Sequence, residues 1–211
     1  MELSKQKNYQ QAFDLACSAL RETDLKERAE KSGALYQKGE REEMILHVFS
    51  EPYHIVFPQI EIYGPGKKVL SLVARAVLLH YLLQADGSRV TGDWVGYKDI
   101  PGGLLYAGVF ARRVTEPLVK KFGRSAKAFM EAGIKLGAKA GDVGNASLIF
   151  QGLPRVPIQY VLWEGDEEFP PHVQLLFDAS VDHYLSLEDI VVLGQMVTAR
   201  LIHASAVLSR E

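Results

Sequence analysis

The sequence predicts an α+β fold in a single domain: a mixed or mostly antiparallel sheet or sheets, a buried central helix, and flanking N- and C-terminal helices. Three observations carry this prediction. Helical periodicity occupies both ends and the middle of the chain, apolar runs of strand length form two clusters between the helices, and no regular βαβ alternation joins them. A chain of 211 residues has the length of one domain at ~100–200 residues each, and residues 1–211 are read as that domain.

The elements follow in order. Residues Asn8 to about Lys31 read as one amphipathic helix, with Phe13, Ala16, Cys17 and Leu20 at helical spacing. Three β-rich runs come next, Met44–Phe49, His54–Phe57 and Ile60–Tyr63, and Pro52 and Pro58 mark them as a meander with a Pro-interrupted edge. Lys67 to about Ala85 is apolar nearly all round, which predicts a central, buried helix stopped at Asp86-Gly87. Ser88–Leu104, rich in Gly, Asp and Pro, reads as an ordered loop with a short strand around Trp94–Tyr97. Leu105–Phe122 and Ser125–Leu136 form a helical pair broken at Gly123, with a kink or restart at Pro117. Ser147–Phe150, Ile158–Trp163 and Val173–Phe177 have strand length, and Ser186 with Glu188 and Asp189 caps a final helix to about Leu208.

Composition narrows the function. Hydrophobic residues at 47% and charged residues at 24% describe an ordinary globular chain. The 24 basic and 26 acidic side chains leave a net charge of -2, so there is no global pull toward nucleic acid or anionic membrane. A single cysteine, Cys17, cannot form an internal disulfide, a Cys-based zinc site or an iron–sulfur cluster. The N-terminus lacks the apolar core of a signal peptide, and the longest apolar run considered, Val69–Leu83, is short of the ~20 residues that span a bilayer. The C-terminal HASAVLSRE matches no lipidation signal. These features predict a cytoplasmic protein without membrane or nucleic-acid partners.

The near-neutral total conceals two charged segments. Arg112–Lys139 carries eight Lys and Arg against two acids, and Trp163–Asp189 carries eight acids and no Lys or Arg. Such blocks can steer a ligand or a partner, or they are solvated faces that partly neutralise each other across the fold. Within the acidic segment, Trp163-Glu164-Gly165-Asp166-Glu167-Glu168 delivers a strand into three successive carboxylates. Hard cations prefer such oxygens, so Asp166, Glu167 and Glu168, joined by Asp178, are the candidate divalent-metal ligands. His80 follows Val73, Ala76 and Val77 on the apolar face of the central helix, which suits either a hydrogen-bonded core residue or a ligand. His183 lies beside Asp182 and ahead of the acid-capped helix, where a carboxylate would raise its pKa. Phosphate-loop, dinucleotide-binding, zinc-protease and nucleophile-elbow motifs do not occur, and Gly102-Gly103 reads as a turn in preference to a phosphate cradle.

The runs LLHYLLQADG (Leu78–Gly87), GDWVGYKDIPGG (Gly92–Gly103), EPLVKKFG (Glu116–Gly123) and Leu153–Gly194, which holds the acidic turn and His183-Tyr184-Leu185, are together similar to one prokaryotic family. It is known only as domain of unknown function 3786. The resemblance covers about the last two-thirds of the chain, so residues 1–66 are read as an N-terminal helix plus β-meander and 67–211 as a family-like core. Members occur mainly in anaerobic bacteria and archaea. Many carry a four-cysteine iron–sulfur module like those of corrinoid one-carbon proteins, which implies work around a corrinoid, metal or redox cofactor. This chain has no such module, so an iron–sulfur cluster would come from a partner protein.

Three expectations result. The first is a cytosolic accessory protein that binds a small-molecule ligand or a cofactor such as a corrinoid or other tetrapyrrole. Its pocket would be built by His80, Asp86, Asp93, Trp94, Tyr106 and the acidic turn running on to His183. The second is an enzyme using Asp166, Glu168 and His183 for acid–base chemistry, with or without a divalent metal. The third is an adaptor whose charged segments dock an iron–sulfur partner or a second copy of the chain as a homo-oligomer.

Overall fold

The computed structural model describes residues 2–208; the last residues of the C-terminal segment read for a lipidation signal lie outside it. The N-terminal helical pattern divides into α1 (Glu2–Arg21) and α2 (Leu25–Ser32), where one helix was expected. The break has a local cause. The Asp24 side chain accepts from the N–H groups of Lys26 and Glu27, which starts a new helix, and Gly33 ends that helix in the left-handed conformation.

Strands β1 (Leu35–Lys38), β2 (Glu42–Val48), β3 (Glu51–Val56) and β4 (Glu61–Tyr63) form an antiparallel meander in that order. β1 was not expected: it is an edge strand with mostly exposed side chains, so it carries no apolar alternation. Pro52 is tolerated because β4 pairs only with His54–Val56 and leaves the outer edge of β3 free at Pro52. Ser71 accepts from the Ala74 N–H and starts α3 (Leu72–Gln84) a turn later than the apolar run suggests. α3 packs against α1, α2 and the last helix.

The second sheet has the order β5-β9-β8-β7-β6, all antiparallel: β5 (Trp94–Gly96), β6 (Lys139–Ala140), β7 (Ala146–Leu153), β8 (Val156–Trp163) and β9 (His172–Asp178). The helical pair is α4 (Gly103–Phe110), a π turn (Ala111–Thr115) and α5 (Glu116–Phe122), followed by α6 (Ala126–Lys135), which Ser125 caps. The irregularity is the π turn itself. Pro117 lies in the first turn of α5 directly after the π turn, and because Thr115 and Glu116 are already helical its missing N–H leaves one carbonyl of that turn without a helical donor. At the opposite end of α4, Gly103 has no substitute, because a Cβ there would lie 1.9 Å from the Tyr97 carbonyl oxygen. Its N–H donates to the Ile100 carbonyl, 2.8 Å away, so the Gly102-Gly103 pair is a turn.

α7 (Leu187–Leu208) closes the fold. By length and composition Leu187–Val207 is apolar enough to cross a membrane, but half of that window is buried inside the fold. It packs against α3, α5, α6 and the π turn, the position of a core helix. Both sheets and the helices share one core, with Met44 and Tyr53 from the first sheet, Tyr160 and Phe177 from the second, and Leu78 and Leu193 from α3 and α7. Phe49 N–H donates to the Gly152 carbonyl at 3.1 Å, joining the end of β2 to β7.

Candidate functional site

The loop after α3 is stitched to the chain that follows β9. Asp178, only 2% exposed, accepts from Thr91 N–H, Thr91 Oγ1, Gly92 N–H, Ser180 N–H and Ser180 Oγ at 2.6–3.1 Å. Burial pushes this carboxyl upward, and the bonds from Ser180, Thr91 and Gly92 outweigh it, leaving the pKa below the ordinary value. The Asp93 carbonyl accepts from Ala179 N–H at 2.8 Å, and Trp94 pairs with Asp178 across the sheet. His183 Nδ1 lies 2.7 Å from Asp86 Oδ2 and 3.2 Å from Ser88 Oγ, and the Tyr184 hydroxyl donates to the Ser88 carbonyl. Asp86, Asp93, Trp94, Asp178 and His183 thus lie along one clasp between the loop after α3 and the chain that follows β9, in which Asp86 holds His183 and Asp178 holds Thr91, Gly92 and Ser180.

The clasp has a defined pH window. The Asp86 hydrogen bond raises the His183 pKa, so its contribution is complete below the ordinary 6.5 and is lost as pH rises through the folded value. The Ser88 N–H first, then His183, hold Asp86 at about 2, so its contribution is complete above the ordinary 3.8 and is lost as pH falls toward that value. The clasp is tightest between those two ordinary values. An Asp86→Asn variant should show a lower His183 pKa by NMR titration, and an unchanged value would remove Asp86 as the cause.

The acidic turn is elsewhere. Asp166 Oδ1 accepts from the N–H groups of Glu168 and Phe169 at 2.8 and 2.7 Å, a self-capped turn that lowers its pKa. Glu164 Oε1 accepts from Ala126 N–H at 2.6 Å, so the acidic segment touches the basic one at the start of α6. The turn precedes β9, whereas Asp178 and His183 follow from its other end, and seven strand residues span about 20 Å. This corrects two expectations. Asp166, Glu167 and Glu168 do not share a metal site with Asp178, and Asp166 and Glu168 do not share a catalytic centre with His183. Among the described residues no three His, Cys, Asp or Glu side chains form a group that could hold a metal ion. On the first sheet, His54 Nδ1 lies 3.1 Å from Glu43 Oε2, and Pro52 pairs opposite His47.

His80 belongs to a different place. With Val73, Ala76 and Val77 it forms the α3 wall of a hollow of about 390 Å³, closed by Tyr9 and Ala12 of α1 and by Glu188, Asp189 and Val192 of α7. His80 Nδ1 lies 2.9 Å from Asp189 Oδ1. The other Asp189 oxygen accepts from Ser186 Oγ at 2.6 Å, while Asp189 N–H donates to Ser186 Oγ at 3.2 Å. The helix cap of α7 therefore also holds the imidazole. Asp189 raises the His80 pKa against the opposing effect of burial. Nε2, the other ring nitrogen, has no hydrogen-bond partner among the described residues.

A second hollow of about 570 Å³ adjoins the first and shares Arg113, Ser186 and Glu188 with it; its apolar walls are Tyr97, Tyr106, Val109, Leu187 and Val191. Tyr97 is fixed there by stacking on Phe110 at 4.2 Å and by its hydroxyl donating to the Leu187 carbonyl at 3.2 Å. Tyr106 lines this hollow, apart from Asp86, Asp93, Trp94 and His183, with which the sequence grouped it.

A family model described as Domain of unknown function (DUF3786) matches residues 24–200. The chain belongs to the DUF3786 family. No curated protein and no solved structure matches it. The matched span of this DUF3786 chain begins at the cap of α2 and so takes in both sheets and the helices from α2 to the first two-thirds of α7. It contains His80, Arg113, Ser186 and Asp189, while the α1 wall of the cleft lies outside it. In this DUF3786 domain, Ser186 and Asp189 are readable in sequence as a cap and Arg113 as one base in a basic run. The readable hint of a site was the stripe Val73, Ala76, Val77, His80, and nothing in sequence said what would face it.

Proposed function

We propose that the chain is a cytosolic binding protein for a small molecule or cofactor, seated in the cleft between α1, α3, α7 and the π turn. One observation carries the reading: an imidazole with one nitrogen held by a buried carboxylate and the other unpartnered, on a hollow within the ~300–1,000 Å³ range of ligand sites. A carboxylate on Nδ1 fixes the ring and its tautomer and makes Nε2 a better ligand or proton acceptor. This moves the centre of the site from His183, whose carboxylate partner is half exposed and which lines neither hollow, to His80, whose partner Asp189 is buried beside the first of them. Of the cofactors that the family resemblance brings forward, a metal-centred tetrapyrrole with carboxylate side chains would suit a single imidazole ligand beside tyrosine and aliphatic walls better than a corrinoid, whose side chains are mainly amides. A divalent ion bound by protein groups alone does not fit, because among the described residues no three His, Cys, Asp or Glu side chains group around His80.

A second reading, acid–base catalysis by the His80–Asp189 pair, draws on the raised His80 pKa. It requires turnover of a bound molecule and so presupposes the same cleft. The binding reading is tested by anaerobic native mass spectrometry on protein taken from its own host. Wild type and His183→Ala should carry mass beyond the bare chain, and His80→Ala should lose it. Bare chain in every preparation, or extra mass that survives His80→Ala, overturns the assignment.

A further inference from the structure

We infer that the ligand of this cleft is a carboxylate on an apolar body, and that Arg113 is the residue that anchors its charged end. The inference rests on the cleft reading above and names the class of molecule it would take. Arg113 borders three adjoining hollows, of about 390, 500 and 570 Å³. It is exposed, and among the described residues it has no hydrogen bond and no ion pair. A guanidinium left unpaired at the junction of three hollows is a fork that matches the two oxygens of a planar carboxylate.

The fold imposes that position. A π turn holds one more residue than an α turn, so the run Ala111–Thr115 changes which side chains face α7. Val114 is turned fully inward, its carbonyl accepting from Thr198 Oγ1 at 3.2 Å. Gly194 makes room for it: a Cβ at Gly194 would come within 3.1 Å of Val114 Cγ1. With Val114 locked against α7, its neighbour Arg113 is carried to the cleft.

The surrounding charges select the anion. Glu188 lines two of the three hollows with Arg113, and Asp189 lines one, both beyond ion-pair distance from the guanidinium. Asp189 is matched by His80, which leaves Glu188 as the uncompensated negative charge facing the ligand. One guanidinium matches the single charge of a carboxylate, whereas the second charge of a phosphate would face Glu188 with no further cation to offset it. Tyr97, Tyr106, Val109 and Leu187 then supply the apolar surface for the rest of the molecule.

The test compares three probes of one shape, phenylacetate, phenylacetamide and phenyl phosphate, by NMR titration at fixed ionic strength on the full chain. Phenylacetate should shift the signals of His80 and Tyr106 and bind at least ~10-fold more tightly than the neutral amide. Arg113→Gln should abolish that preference, Arg113→Lys should keep part of it, and Arg112→Gln, the exposed neighbour that borders none of the three hollows, should leave it intact. Equal binding of acid and amide at His80 and Tyr106 overturns the anchor but leaves the cleft reading standing. Tighter binding of phenyl phosphate overturns the choice of carboxylate, and an Arg112→Gln loss equal to that of Arg113→Gln overturns the choice of residue. Silence from all three probes also overturns the carboxylate assignment, while the host-derived mass measured on His80→Ala still judges the cleft by itself.

Discussion

Asp178→Ala is expected to destabilise the protein by about 3 kcal/mol, because it leaves a set of donors without an acceptor in a place that water does not reach. Two backbone N–H groups from the loop, one from the chain after β9, and the hydroxyls of Thr91 and Ser180 all converge on this carboxylate. A loss of that size lowers the melting temperature by roughly 6–12 °C in a domain of this length. Asp178→Asn should recover only part of it, since the amide nitrogen turns a donor toward donors. The acid limb should change as well. The Asp178 pKa is below the ordinary 3.8, so the wild-type carboxylate contributes above that value and loses its contribution as pH falls through the folded pKa. Urea midpoints measured across that limb should converge for wild type and Asp178→Ala at the acid end. Amide exchange at Gly92 and Ser180 should accelerate in the variant, and a loss below about 1 kcal/mol would mean that the loop is held by other bonds.

Asp189→Ala is expected to have nearly the same effect on stability, about 2 kcal/mol, and a larger one on the cleft. One side chain there does two jobs: it accepts from Ser186 in the cap of α7 and orients His80 from 2.9 Å. Ser186→Ala separates them, costing about 1 kcal/mol for the cap while leaving the carboxylate on the imidazole. The His80 titration should therefore fall toward or below the ordinary 6.5 in Asp189→Ala and stay near its wild-type position in Ser186→Ala. The sign follows from the raised pKa. In wild type the pair stabilises most below 6.5 and its contribution fades as pH rises through the folded value, so the stability difference between wild type and Asp189→Ala should narrow on going alkaline. A His80 pKa that is identical in both variants would break the link between the cap and the site.

Both variants concern contacts that join distant parts of the chain, and the sequence read them unevenly. The caps at Ser125 and Ser186 and the stop at Asp86-Gly87 are local chemistry between residues a few positions apart, visible in any window that contains them. The strands of the two sheets were legible where alternation or an apolar run marked them. β1 and β6 were not, because an exposed edge strand and a two-residue strand bury too little to leave a pattern. The single N-terminal helix failed at Asp24 for the converse reason: a capping aspartate among Glu22, Lys26 and Glu27 looks like one more charge on a solvated face.

The site divides in the same way. The stripe that ends in His80, the paired acids after Ser186 and the fold class of helices around antiparallel strands were determined by the sequence, since each is a periodicity or a short motif. Only the tertiary structure decided that Asp189, 109 residues away, is what His80 meets. It also decided that His183 is engaged by Asp86, that the acidic turn lies a strand length from Asp178, and that a π turn carries Arg113 to the cleft. The physical reason is that periodicity records which face of an element is buried, whereas the partner on the other side depends on how whole helices cross and on which end of a strand a loop leaves.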